Sequence, residues 1–181
     1  AFPAGEDIAV LVAVGADWIN NEHLLGYANA LDPQEYVMPE TGVLELILQA
    51  STDENSEKPY FLILDEMNLS HVERYFADFL SAMESGEKIQ LYSGADRKAN
   101  GKPVPQSVVW PKNLYIIGTM NVDETTYMFS PKVLDRANVI EFKISIDEMA
   151  EFLDGVKQVD CSSICGNAAG MGADFVRLTN C

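Results

Sequence analysis

Two adjacent carboxylates, Asp65 and Glu66, close one apolar run, and an amide, Asn121, stands three residues beyond the end of another. The first run, YFLIL (residues 60–64), reads as a strand buried on both faces, and LYIIG (residues 114–118) reads the same way. A carboxylate held by rigid backbone at a strand end is a good anchor for Mg²⁺, which takes one or two carboxylates and completes its shell with water and phosphate oxygens. A second carboxylate beside it can orient or deprotonate an attacking water. An amide on the neighbouring strand end can position that water or touch a γ-phosphate. Asp65, Glu66 and Asn121 together therefore suggest magnesium-dependent nucleotide hydrolysis. Each residue alone has a blander explanation: a turn cap for Asp65, a solvated side chain for Glu66, a turn former for Asn121. Three such residues at the ends of two separate buried strands favour the chemistry.

The elements that must carry these residues can be read from periodicity. Residues 8–14, IAVLVAV, form another buried strand, and a long polar-aromatic loop follows it. Thr41 is placed to cap a short helix in which Val43, Leu44, Ile47 and Leu48 share one face. Residues 51–59 form a solvated connector; its DENSEK faintly resembles a nuclease pattern but lacks strand context. After Glu66, Ser70 and Glu73 have capping-box spacing. Val72, Tyr75, Phe76, Phe79, Leu80 and Met83 then repeat at helical spacing, as core packing, up to a stop at Gly86. Residues 88–111 read as a hairpin-like excursion with turns at Ser93-Gly94 and Asn100-Gly101. Pro131 opens a short segment, residues 139–144 could form a further strand, and a helix begins at Asp147 before a Gly/Ala/Ser/Cys-rich tail. Strands alternating with helices argue for an α/β fold with a largely parallel sheet, in which ligands bind beyond the carboxyl ends of the strands.

Composition narrows the function classes. The 181 residues are 48% hydrophobic and 22% charged, ordinary for a soluble domain. The apolar runs are too short to span a bilayer and no signal-peptide pattern is present, so a cytoplasmic protein without a membrane role is expected. The net charge of -16, from 28 acidic and 12 basic residues, repels phosphate backbones; DNA contact would need a local patch or another domain. Cys161, Cys165 and Cys181, with only His23 and His71, make neither a zinc cluster nor a disulfide framework.

YFLILDEMNLSHVERYFADFLSAME resembles the Walker B segment of AAA+ NTPases of the McrB type, the motor subunits of modification-dependent restriction systems. PKNLYIIGTMNVDETTYMFSPKVLDRANVIEF resembles their sensor-1 strand and arginine-finger region, and DWINNEHLLGYANAL the segment preceding Walker B. The resemblance implies that Asp65 holds Mg²⁺ through water, Glu66 activates the hydrolytic water, Asn121 is the sensor-1 residue, and Asn68 supports the site. It implies ATP or GTP as the nucleotide, a homo-oligomeric ring, Arg136 acting as a finger toward the neighbouring subunit, a nuclease partner, and DNA engaged indirectly.

It also implies an AAA+ parallel sheet flanked by helices, with residues 1–146 a partial core and 147–181 the start of a truncated lid. Two departures stand out. No G-x-x-x-x-G-K-[ST] phosphate loop occurs in the chain, so the sheet is expected to lack its first strand, between the strand ending at Gly118 and residues 139–144. The consecutive arginines common before the phenylalanine at Phe142 are replaced by Val139, Ile140 and Glu141. A non-hydrolysing AAA-like assembly or regulatory subunit is the alternative reading. A stand-alone metal-dependent hydrolase is a third, supported by no histidine or further acid cluster.

Overall fold

The computed structural model describes residues 8–122, 126–155 and 170–180. Three strands form a parallel sheet in the order β1 (Ala9–Ala13), β4 (Tyr60–Asp65), β9 (Leu114–Gly118). Their register aligns Val12, Leu64 and Gly118 in one row and Leu11, Ile63 and Ile117 in the next. Alternate residues point to opposite faces, so Val12, Leu62, Leu64 and Leu114 enter the core together. Against that face lie α2 (Val43–Ala50), through Val43, Leu44, Leu46 and Ile47, and the pair α3 (Val72–Tyr75) and α4 (Ala77–Ser85), through Val72, Tyr75, Phe76, Phe79 and Leu80. The expected α/β parallel sheet flanked by helices is present, with three strands.

The segment between β1 and α2 is more structured than a loop. It contains α1 (Glu22–Leu25) and the strand pair β2 (Tyr27–Ala28) and β3 (Tyr36–Val37), and it buries Trp18, Leu24, Leu25 and Tyr36. Tyr36 donates its hydroxyl to the Leu25 carbonyl at 2.8 Å, and burial, with Tyr92 nearby, pushes that phenol up to about 12. The excursion after α4 is two nested antiparallel pairs, β5 (Ile89–Gln90) with β8 (Ser107–Val108) and β6 (Arg97–Ala99) with β7 (Lys102–Val104). Arg97 ties it to the earlier loop by donating to the carbonyls of Asn29, Asp32 and Glu35.

Three expectations are corrected. Thr41 does not cap α2; its hydroxyl donates to the His23 carbonyl at 2.7 Å, and Gly42, in the left-handed region, opens the helix. Ser70 and Glu73 form no capping box. Ser70 donates to the Trp18 carbonyl at 2.6 Å, Glu73 accepts from the Ser130 amide at 3.1 Å, and the helix breaks at Phe76. Tertiary partners outcompete the local cap because they satisfy buried groups that would otherwise stay unpaired. A complete capping box forms instead at Ser145 and Glu148, opening α6 (Ile146–Asp154). Residues 139–144 are not a strand: no described strand lies beside them, and Ile140, Phe142 and Ile144 are exposed. A strand without a ladder partner leaves its amides to water and gains nothing from extension.

Among the described residues the second sheet face is sparsely covered. Helix α7 (Gly172–Thr179) lays Phe175 over Phe61 and Tyr115, at ring distances of 6.2 and 4.9 Å. Beyond it Leu11 is 69% and Ile117 47% exposed. A parallel sheet is normally covered on both faces, and among the described residues β9 has no partner on its outer edge. Cys161, Cys165 and Cys181 lie outside the described residues, as does residue 1 to residue 7 of the expected core.

The aromatic core supports a first prediction. Phe79 is fully buried, stacked on Phe76 at 4.7 Å and edge-on to Trp110 at 5.5 Å. Phe79→Ala is expected to lose about 3–5 kcal/mol through transfer and cavity terms. At this chain length that lowers Tm by roughly 10 °C. Urea and thermal unfolding followed by circular dichroism measure it; a loss below about 1 kcal/mol would mean that the stack is not core.

Candidate functional site

Asp65 is the last residue of β4 and Glu66 the first beyond it, both exposed at the carboxyl edge of the sheet. The chain reverses at Glu66 with φ 51° and ψ 47°. A glutamate in the left-handed region is uncommon, and such strain persists where the surroundings fix it. The surroundings here are the exit of β9. The Thr119 amide donates to the Leu64 carbonyl at 2.9 Å, and the Thr119 carbonyl accepts from the Met67 amide at 2.8 Å. The Thr119 hydroxyl donates to Asp65 Oδ1 at 2.6 Å and accepts from the Glu66 amide at 2.9 Å. Gly118 permits this closeness, since a Cβ there would meet Met67 Sδ at 2.7 Å.

Asn121 arrives at the same edge. Its Nδ2 donates to Glu66 Oε1 at 3.2 Å, so the residues singled out on two separate strands meet directly. Asn68, buried in the 3₁₀ turn after Glu66, donates through Nδ2 to the carbonyls of Asn121 at 2.7 Å and Tyr127 at 3.2 Å. Its backbone carbonyl accepts from the Tyr127 amide at 3.0 Å. Asn68 thus clamps the chain on either side of Asn121's loop. Tyr75 braces the turn from below by donating to the Met67 carbonyl at 2.8 Å; burial pushes that phenol well above its ordinary range.

Arg136 is not with this group, and its guanidinium is engaged within the chain. It follows α5 (Pro131–Leu134), pairs with Glu84 in the last turn of α4, and also donates to the Lys132 carbonyl. Nearby, Glu141 pairs with Lys143 at 3.0 Å. Burial pushes the Glu73 carboxyl upward, but hydrogen bonding from Ser130, with His71 nearby, outweighs it and holds the group below its usual range. That contact fixes the start of α5 against α3.

The donors at the strand edge are oxygens only: two carboxylates and an amide, with Asp65 Oδ1 already engaged by Thr119. Among the described residues no three His, Cys, Asp or Glu side chains converge on a common metal position. The set fits a hard cation that shares its shell with water and phosphate, not a closed protein cage. A cleft of 580 Å³ lies at the opposite end of the strands, lined by Thr52, Lys112, Asn113 and Arg177. There Asn113 donates its Nδ2 to the carbonyls of Asn55 and Lys58, which ties the DENSEK connector to the start of β9. Thr119 was not singled out from sequence: it lies within the strand-end motif of β9, and its contacts reach across to the exit of β4. Among the described residues, no helix is long and apolar enough to cross a membrane. No family model matches the chain, and no curated protein matches it.

Proposed function

We propose that the chain is part of an AAA+ nucleoside-triphosphatase core of the McrB type, with β4 as its Walker B strand and β9 as its sensor-1 strand. The observation that carries this reading is the meeting of Glu66 and Asn121, beside Asp65, at the carboxyl ends of two adjacent parallel strands. The strained backbone at Glu66 supports it, because glycine would take that conformation without cost and a functional side chain explains why a glutamate is there. Asp65 would hold Mg²⁺ through water, and Mg²⁺ would supply charge neutralisation on ATP or GTP. Glu66 would accept the proton of the attacking water, and Asn121 would orient that water. The outer edge of β9, which has no partner among the described residues, is where such a core would place its first strand.

The phosphate loop would come from outside these 181 residues, which contain no such motif. The same fact favours one alternative, a non-hydrolysing AAA-like assembly or regulatory subunit. On the first reading the working form is a homo-oligomeric ring, with a nuclease subunit and DNA as further partners.

The test uses the complete polypeptide that carries these residues. Nucleotide turnover should require Mg²⁺, and Asp65→Asn should lower it by about 10²-fold or more, since metal contacts on transferring phosphoryl groups rank among the largest transition-state terms. Phosphate release is the readout. Nucleotide binding without turnover in the unaltered protein would establish the assembly-subunit alternative. Turnover indifferent to Asp65→Asn would remove the Walker B assignment.

A further inference from the structure

Thr119 bonds to four consecutive residues at the turn, Leu64, Asp65, Glu66 and Met67, two through its backbone and two through its hydroxyl. A hydroxyl has one proton to give, and this one gives it to Asp65 Oδ1. It also accepts from the Glu66 amide. With the proton committed to Asp65, the carboxylate is held in one rotation and the other oxygen, Oδ2, is left for an outside partner. The amide bond to Glu66 holds the residue whose backbone is least comfortable, so the same side chain aims one carboxylate and fixes the base of the other. Both contacts cross from β9 to β4, over 53 and 54 positions of sequence. Any ligand that moves the exit of β9 therefore moves Asp65 as well.

We infer that Thr119 is a positioning residue for the metal-binding carboxylate, orienting Asp65 through its hydroxyl and locking Glu66 in its left-handed turn. The inference rests on the nucleotide-hydrolase reading. It goes beyond that reading by assigning a role to a residue that acts through Asp65 and Glu66. Outer hydrogen-bond partners of metal-binding carboxylates set their orientation, and their loss costs about 10- to 100-fold in metal affinity or activity.

The test is a set of three substitutions in the complete polypeptide: Thr119→Ser keeps the hydroxyl and drops the methyl, Thr119→Val keeps the shape and drops the hydroxyl, and Thr119→Ala drops both. Two quantities are read: Mn²⁺ bound in the presence of nucleotide, by electron paramagnetic resonance, and the Mg²⁺ concentration for half-maximal turnover. Positioning through the hydroxyl predicts that Thr119→Ser stays within about 3-fold of the unaltered protein, while Val and Ala both weaken Mn²⁺ binding and raise the Mg²⁺ requirement about 10- to 100-fold. A packing role predicts the reverse grouping, Val with the unaltered protein and Ser with Ala, and would overturn the inference. If Thr119→Val fails to fold, Ser against Ala still decides: equal values for the two overturn it. Asp65→Asn is run alongside. If Asp65→Asn abolishes Mn²⁺ binding and the Thr119 set does nothing, the Thr119 role falls and the hydrolase reading stands. If Asp65→Asn changes nothing, the hydrolase reading falls, and the Thr119 role with it.

Discussion

Glu66→Gln is expected to bind nucleotide as tightly as the unaltered protein and to hold it unhydrolysed. On the proposed reading the change removes the group that would take the water's proton, a step worth about 10²- to 10⁴-fold when a positioned base performs it. Little else changes. Glutamine keeps the length and branching of glutamate, and its Oε1 still accepts from Asn121 Nδ2, the 3.2 Å contact that joins the two strand ends. The Glu66 amide still donates to the Thr119 hydroxyl, so the turn keeps its left-handed geometry. The loss should therefore appear in kcat with nucleotide affinity unchanged, the pattern of an interaction made only in the transition state. Single-turnover phosphate release measures the first and calorimetric titration with nucleotide the second. Turnover at the unaltered rate would take the base assignment away from Glu66. An equal loss of binding would show instead that the side chain holds the site together.

How far the sequence reaches depends on how local the deciding forces are. The strands at residues 60–64 and 114–118 were legible because an apolar run between turn residues has few other outcomes, and the structure pairs them directly. Their ends were legible as a candidate site because Asp65, Glu66 and Asn121 break those runs with groups that burial would reject. Their meeting follows from parallel pairing. Ser70 and Glu73 misled because the capping-box spacing is a local rule, and the Trp18 carbonyl and the Ser130 amide, 52 and 57 positions away, made better offers. Ser145 and Glu148 obey the same rule where no distant partner competes. Residues 139–144 alternate as a strand should, but alternation supplies only a face; the ladder partner must come from elsewhere, and among the described residues none does. Thr119 was invisible for the opposite reason. Its backbone and hydroxyl act across the sheet, and nothing in its neighbours' identities announces that.

Arg136→Ala should abolish turnover in a uniform assembly, by about 10³-fold or more, if the residue reaches the γ-phosphate of a neighbouring subunit's nucleotide. In the structure Arg136 is held by Glu84, with side chains 24% and 61% exposed. With Glu84 largely solvated, the pair contributes on the order of 1 kcal/mol, so exchanging Glu84 for a phosphate costs little. A planar, permanently charged guanidinium suits both partners, and Arg136→Lys should recover only part of the rate because an ammonium cannot make the two parallel contacts. The decisive measurement mixes subunits. Arg136→Ala subunits retain the base and Glu66→Gln subunits retain the finger, so an interface that joins one of each pairs an intact base with an intact finger. Neither variant alone should turn nucleotide over, and the mixture should recover a substantial fraction of the activity in proportion to such interfaces. Native mass spectrometry establishes that mixed assemblies have formed. Mixed assemblies without recovered turnover, or an Arg136→Ala protein as fast as the unaltered one, would sink the trans role. Arg136 would then be a tie between α4 and the end of α5, and a double-mutant cycle with Glu84→Ala would find its whole contribution in stability.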